Sequence, residues 1–281
     1  MEAAIDILDI RIAIFIGILV FMAGWETLWP RRQLTQRKIN RWFGNLMLVA
    51  LDTIIVRLLL PAGAAGAALW AETHQFGLLH LTSLPPAATV LLAIILLDLA
   101  IYTQHVVFHA VPTLWRLHMV HHADRDLDVT SGLRFHPFEI LLSMLIKVSL
   151  VLLVGAPVLA VIIFEVILNG MAMFNHSNIR LPAILDRAIR LLLVTPDMHR
   201  VHHSVVIAET NSNYGFNLSL WDRLFCTYRA QPEAGHQGMS IGLTQFQKDP
   251  TWRLDWILAL PFVGKIGQYP RWKQTAGESH D

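Results

Sequence analysis

Cysteine is almost missing from this chain: Cys226 is the only one in 281 residues. That excludes an internal disulfide, a Cys-ligated iron–sulfur cluster and a Cys-based zinc site. Charge is scarce too. Asp, Glu, Lys and Arg make up 15%, against roughly 25% in an ordinary soluble domain. The two signs nearly cancel, leaving +1 at pH 7, so no bulk charge marks a polyanionic partner and no nucleic-acid partner is expected. Internal repeats and low-complexity runs are also lacking. What remains is apolar: 54% of the chain is hydrophobic and the mean hydropathy is +0.47. Such a composition argues against disorder and points to lipid as part of the solvent.

The apolar residues fall into runs of spanning length. Ile10 to Trp29 is the first. The residues before it carry Glu2, Asp6 and Asp9 and no lysine or arginine, whereas a signal peptide starts basic, so a retained membrane helix is expected. A second run covers Trp42 to Trp70, broken near Pro61. A third starts at Ala87 and continues as a helical pattern to His109. A fourth, Phe138 to Phe174, is too long for one span of ~20 residues, and Gly155-Ala156-Pro157 divides it into a hairpin. The expected fold is an all-α integral membrane helical bundle of about three spans plus a hairpin, with a helical histidine-rich cap. We divide the chain into N-terminal helices with a basic loop (1–96), a catalytic region (97–229) and a tail with an interfacial helix near Trp252 to Phe262 (230–281).

Loop charge sets direction. Arg31, Arg32, Arg37, Lys38 and Arg41 follow the first span with no acid among them, while the loop from Ala71 to Pro86 has no lysine or arginine. The basic loop is therefore expected in the cytoplasm, and the parity of the later spans puts every histidine cluster on the same side. Trp25, Trp29, Trp42 and Trp70 stand at span ends, where aromatic belts belong.

Histidine is the one polar residue in excess, at 14. His105 and His109 form HxxxH; His118, His121 and His122 form HxxHH; His176 stands alone in Phe-Asn-His-Ser-Asn; His199, His202 and His203 form a second HxxHH. Spacings of three and four put side chains on one helical face. One HxxHH is expected by chance about 0.03 times per chain of this composition. Each triplet can serve one centre or divide its imidazoles between two. Neutral imidazole suits zinc, copper, iron and nickel. A single zinc takes three or four ligands, so nine grouped histidines point to two ions. His74, His80, His236 and His280 read as background.

The order HxxxH, HxxHH, single His, HxxHH after membrane helices resembles the fatty acid hydroxylase and sterol desaturase superfamily. The resemblance runs roughly from Asp98 to Tyr228 and includes Arg134-Phe-His-Pro-Phe-Glu139, Asn175-His-Ser-Asn178, Asn213-Tyr-Gly and Leu220-Trp-Asp-Arg-Leu-Phe225. It implies a membrane-bound non-haem enzyme with two iron ions, which uses O2 and external electrons to hydroxylate or desaturate a lipid C–H bond. It also implies His105, His109, His118, His121, His122, His176, His199, His202 and His203 as ligands. Ala172 stands where some hydroxylases carry a further histidine, and Cys226 where many relatives have glycine. His136 is open: a further ligand, or a structural residue at a turn.

Ionisable residues inside spans usually face a cavity or a partner. Asp98 and Tyr102 share a helical stripe with His105 and His109, and Glu165 and Asn169 share one with His176. These four either orient the imidazoles from behind or simply join helices. Lys147 lies mid-span in the hairpin. No GxGxxG or haem-attachment motif is present, so a separate ferredoxin, cytochrome or flavoprotein reductase must supply electrons. The rivals are a zinc hydrolase, which would want a general base as in HExxH, and a metal-binding or transport protein, which would place ligands near mid-membrane.

Overall fold

The structure is a computed structural model describing residues 2–269, with side chains from Asp9 onward. His280 and the last residues of the expected tail lie outside the described part. The described residues are helical, with isolated bridges and no strand. The long helices are α1 (Glu2–Leu28), α2 (Lys38–Leu59), α4 (Pro86–Ala110), α6 (Pro137–Val154) and α7 (Val158–His176). The shorter α3 (Gly63–Thr73) continues α2 beyond the break at Pro61, and α5 (Pro112–His122) follows α4 almost directly. After α7 come α8 (Ala183–Ile189), α9 (Pro196–His202) and three turns, α10 (Ile207–Thr210), α11 (Leu220–Leu224) and α12 (Gly235–Gly238). The last helix is α13 (Leu254–Val263).

Five segments are long and apolar enough to cross a bilayer: Asp9–Leu28, Lys38–Leu81, Pro86–Ala110, Pro137–Val154 and Val158–His176. Their outer faces carry bare apolar side chains such as Phe21, Ile54, Leu58, Leu91 and Leu153. A protein surrounded by water rarely leaves so large an apolar girdle uncovered, and this chain is a multi-pass membrane protein.

Local chemistry sets the helix ends. Proline occupies the first turn of α4, α5, α6 and α9, where its missing N–H costs nothing. The hairpin turns at Gly155, which is left-handed (φ 68°). Gly77 (φ 107°) packs on it so closely that a Cβ there would lie 2.3 Å from the Gly155 nitrogen. This contact joins the segment after α3 to the α6–α7 turn at one end of the bundle. Ala64, Ala68, Leu97, Val151, Ala160 and Phe164 form the core nearby.

The other end holds the histidines and the basic loop. Arg31 N–H donates to the Asn178 carbonyl at 2.7 Å, and Arg180 N–H to the Trp29 carbonyl at 3.0 Å. Thr35 and Gln36 N–H both donate to Asp126. Arg41, the last of the basic residues after the first span, lies in the first turn of α2 and is buried. It forks onto Asp124 through Nε and Nη2, both at 2.8 Å, and reaches Asp128 at 2.5 Å. The acids following the first HxxHH thus tie the loop to the histidine region. The expected interfacial helix is α13. Its Ile257 and Leu260 are buried against Leu48, Trp115 and Met119, while Phe262 and Val263 stay exposed.

Candidate metal centre

Four elements converge at the histidine end. The last turns of α4 supply His105 and His109, and α5 supplies His118, His121 and His122. The end of α7 supplies His176, α9 supplies His199 and His202, and His203 follows at its C-cap. All nine are buried. They sort into two groups, each with ligand atoms within 4.8 Å of one another. One is His105, His109, His118, His122 and His202; the other is His121, His176, His199 and His203. Each HxxHH is divided. On α5 the i and i+4 residues, His118 and His122, face the first group and His121 the second. On α9 the i and i+4 pair, His199 and His203, faces the second group and His202 the first.

Hydrogen bonds fix the rings from behind. The Nδ1 atoms of His105, His121, His176 and His202 lie 2.8, 3.2, 2.8 and 2.7 Å from the carbonyl oxygens of Tyr214, Arg134, Ala172 and Ser212. A carbonyl only accepts, so each of these Nδ1 atoms carries the proton. Glu139 takes the Nδ1–H of His118 at 2.6 Å, and Asn211 lies 3.4 Å from that of His109.

The inner nitrogens test the site. His121 and His176 have both committed Nδ1–H to carbonyls, yet their Nε2 atoms stand 3.0 Å apart. A neutral imidazole has one N–H, so two lone pairs face each other. That contact is repulsive unless a cation lies between them. The Nε2 atoms of His105, His118 and His202 are likewise buried with no protein partner. The rings cannot relieve this by taking up protons. Burial holds His118 down to about 3 and His121, His122, His199, His202 and His203 well below 6.5, with neighbouring histidines adding to the effect at the latter five. Two sets of neutral, inward-facing imidazoles are what a pair of borderline transition-metal ions requires.

The remaining expected residues lie elsewhere. His136 caps α6, its Nδ1 accepting from Phe138 N–H at 3.2 Å, and its Nε2 lies 3.3 Å from the Leu258 carbonyl. It joins neither group. Asp98 accepts from Trp221 Nε1 at 2.7 Å, and Tyr102 meets Thr227 Oγ1 at 2.9 Å. Tyr102 also packs edge-on against Tyr214, whose ring meets His105, His109 and His202. Glu165 pairs with Arg11 at 2.5 Å and Lys147 at 3.2 Å, and Asn169 donates to the Glu165 carbonyl. The contacts of Asp98 and Glu165 join helices, while that of Asn169 stays within α7. The groups that orient imidazoles are Glu139, Asn211 and four main-chain carbonyls. Glu139 was visible in the Arg134–Glu139 motif; the carbonyls leave no trace in side-chain identity.

Residues 90–227 match the family model described as fatty acid hydroxylase. The ornithine lipid hydroxylase of Rhizobium tropici is 26% identical over 82% of this chain and 70% of its own length. Alkylglycerol monooxygenase of Homo sapiens is 28% identical over 53% of this chain and 33% of its own. Cholesterol 25-hydroxylase of Rattus norvegicus is 25% identical over 52% and 48%. This chain therefore spans only a third to a half of the latter two proteins. No solved structure matches significantly. Residues 90–227, which carry both sets of converging histidines, form a fatty acid hydroxylase domain.

Proposed function

We propose that this protein is an O2-dependent di-iron oxygenase that hydroxylates a C–H bond of a membrane lipid. The observation that carries the reading is the pair of inward-facing imidazole sets, above all the opposed lone pairs of His121 and His176. His105, His109, His118, His122 and His202 would hold one iron, and His121, His176, His199 and His203 the other. Iron so held supplies the binding and reduction of O2 that cleavage of an unactivated C–H bond requires.

The chain's own residues position and shield. Glu139 and the carbonyls of Tyr214, Arg134, Ala172 and Ser212 keep each Nδ1 protonated, so each Nε2 stays a ligand. Burial of the rings keeps bulk water away. The apolar helices open to the bilayer, from which a greasy substrate arrives. Neither group includes a carboxylate, and Glu139 is committed behind His118, which disfavours a zinc hydrolase. Hydroxylation is preferred to desaturation because the relatives are named hydroxylases and monooxygenases. Electrons come from a separate carrier docking at the histidine end, which the basic loop assigns to the cytoplasm.

Anaerobic purification should give two irons per chain. Cells producing the protein should gain about +16 mass units in one lipid class, and His202→Ala should abolish the gain. One zinc per chain, or a lipidome unchanged by the active protein, overturns the reading.

A further inference from the structure

A cavity lies outside the histidine cluster. It has a volume of about 650 Å³ and lies between the basic loop, α8 and the segment around Tyr228 to His236. That is within the roughly 300–1,000 Å³ of small-molecule sites. Four arginines line it, Arg31, Arg180, Arg187 and Arg190, against two carboxylates, Asp186 and Asp197. Arg31 is paired with Asp197 at 3.0 Å and Arg190 with Asp186 at 2.5 Å. Arg180 and Arg187 are exposed at the rim and have no acidic partner among the described residues. The wall is under-satisfied as well. Arg190 Nε is buried without an acceptor, and the ring of His236 is buried with neither nitrogen hydrogen-bonded, its Nε2 standing 3.6 Å from Asp197. The Arg190 and His236 side chains are only 5% and 3% exposed. Asp186 Oδ1 is unpaired on the same wall, but the two rim guanidiniums leave hydrogen-bond donors in excess.

Depth and surroundings say where acceptor oxygens for them come from. Arg180 N–H is bonded to the carbonyl of Trp29 at the end of the first span, so the rim lies where lipid headgroups lie. Directly beside it, Ile184, Leu185, Leu191 and Leu192 are bare. A guanidinium cluster bordered by uncovered apolar side chains, at the level of the headgroups, matches an amphiphile whose head is anionic and whose tails stay in the bilayer. An acidic electron carrier would share the charge but would not need a concave site or the apolar border.

We propose that this groove binds the anionic phosphate headgroup of a bilayer lipid in the leaflet on the histidine side. The two rim arginines grip the phosphate oxygens, Arg190 and His236 complete the wall, and the acyl chains lie over α8 and the leucines after it. The proposal needs neither metal nor turnover, so it stands or falls apart from the oxygenase reading.

The full chain in phosphatidylcholine nanodiscs tests it, by titration with dioctanoyl-phosphatidic acid, dioctanoyl-phosphatidylcholine or inorganic phosphate while Trp fluorescence is followed. Saturable binding of the phosphatidic acid alone is expected. It should weaken about thirtyfold in Arg180→Gln/Arg187→Gln, two exposed changes that leave helicity and metal content intact. Arg187→Lys, which keeps the charge, should retain most of the affinity. Binding that does not saturate, or that the double variant leaves unchanged, overturns the proposal. So does inorganic phosphate binding as tightly as the lipid, which would make the site one for free anions. If the double variant keeps lipid binding but slows reduction by an acidic electron carrier, the face is a protein-docking surface and the proposal is wrong.

Discussion

Glu139, in the first turn of α6, is among the described residues the one carboxylate that touches a histidine of the cluster, and it does so from behind, 2.6 Å from His118 Nδ1. Its removal should free the ring and weaken metal binding by about 10- to 100-fold. Glu139→Ala is expected to lose iron from the five-histidine group first, whereas Glu139→Gln, which can still accept, should keep most of it. Metal analysis of the two variants after equal dialysis checks this; equal loss from both would mean that the carboxylate's charge, not its geometry, is what counts. The neutral histidines give a pH dependence of definite sign. In the unfolded chain these rings take up a proton below about 6.5. In the fold, burial holds His118 down to about 3 and the other five outside the spans well below 6.5. Their folded values are depressed, so the stability they contribute is present above about pH 6.5 and declines as pH falls below it, by about 1.4 kcal/mol per pH unit for each ring. Metal competes with the same protons. Iron should therefore be retained at neutral pH and released on acidification, which a dialysis series read by atomic absorption would show. At this scale the sequence was informative where spacing carried the signal, since both HxxHH sets and His176 were legible. It was silent on Ala172, Arg134, Ser212 and Tyr214 as acceptors, because a main-chain carbonyl is the same whatever side chain it bears. It left Asp98 and Glu165 open between orienting imidazoles and joining helices. Helical periodicity puts them on the stripe of the ligands, but a stripe several turns long reaches well beyond the site, and they bond Trp221 and Arg11 with Lys147 instead.

The elements meet at very small separations. The short turn Ser131–Leu133 packs on the last turns of α7 so tightly that a Cβ on Gly132 would lie 2.2 Å from the Ala172 carbonyl and 3.0 Å from His176 Nδ1. Ala172 is the residue whose carbonyl holds that ring at 2.8 Å. Glycine is needed here for approach rather than for backbone freedom. Gly132→Ala should push the turn off α7, release His176 and lower iron in the four-histidine group, while the five-histidine group, built on α4, α5 and His202, keeps its metal. Iron stoichiometry falling from two toward one per chain, with helicity retained by circular dichroism, is the expected result. Full occupancy would show that α7 can yield without moving its histidine. The composition told of helices and spans, and Gly155-Ala156-Pro157 told of the hairpin. Nothing in a single sequence tells that residue 132 lies against residue 172, because the contact depends on how α7 and the loop after α5 meet in space. Arg41 teaches the same lesson. It counts as a loop charge in the sequence, yet its partners Asp124 and Asp128 belong to the segment after the first HxxHH, and only the fold brings them together.

Across the whole molecule, polar groups are distributed by depth. The histidine end carries the basic loop, the acids that neutralise it and both imidazole sets; the opposite end carries Glu72, whose carboxylate accepts the first N–H of α7 at 2.8 Å, and the Gly77–Gly155 contact. Between the ends, Arg11, Glu165 and Lys147 bind α1, α6 and α7 together, as costly groups in a bilayer must be paired. Loop charge predicts the orientation of the whole object, with the histidine end on the cytoplasmic side. Two exposed positions at opposite ends decide this. Lys248 lies in the segment packed on the histidine region and His74 follows α3 at the far end. In a Cys226→Ser background, Lys248→Cys should react with a membrane-impermeant maleimide only after the cells are opened, and His74→Cys in intact cells. The reverse pattern would place the metal centre outside the cell. It would also remove the cytoplasmic electron carrier from the proposed reaction, since reduction would then have to come from the outer face. Labelling of both in intact cells would mean that the chain does not cross as its five apolar segments require.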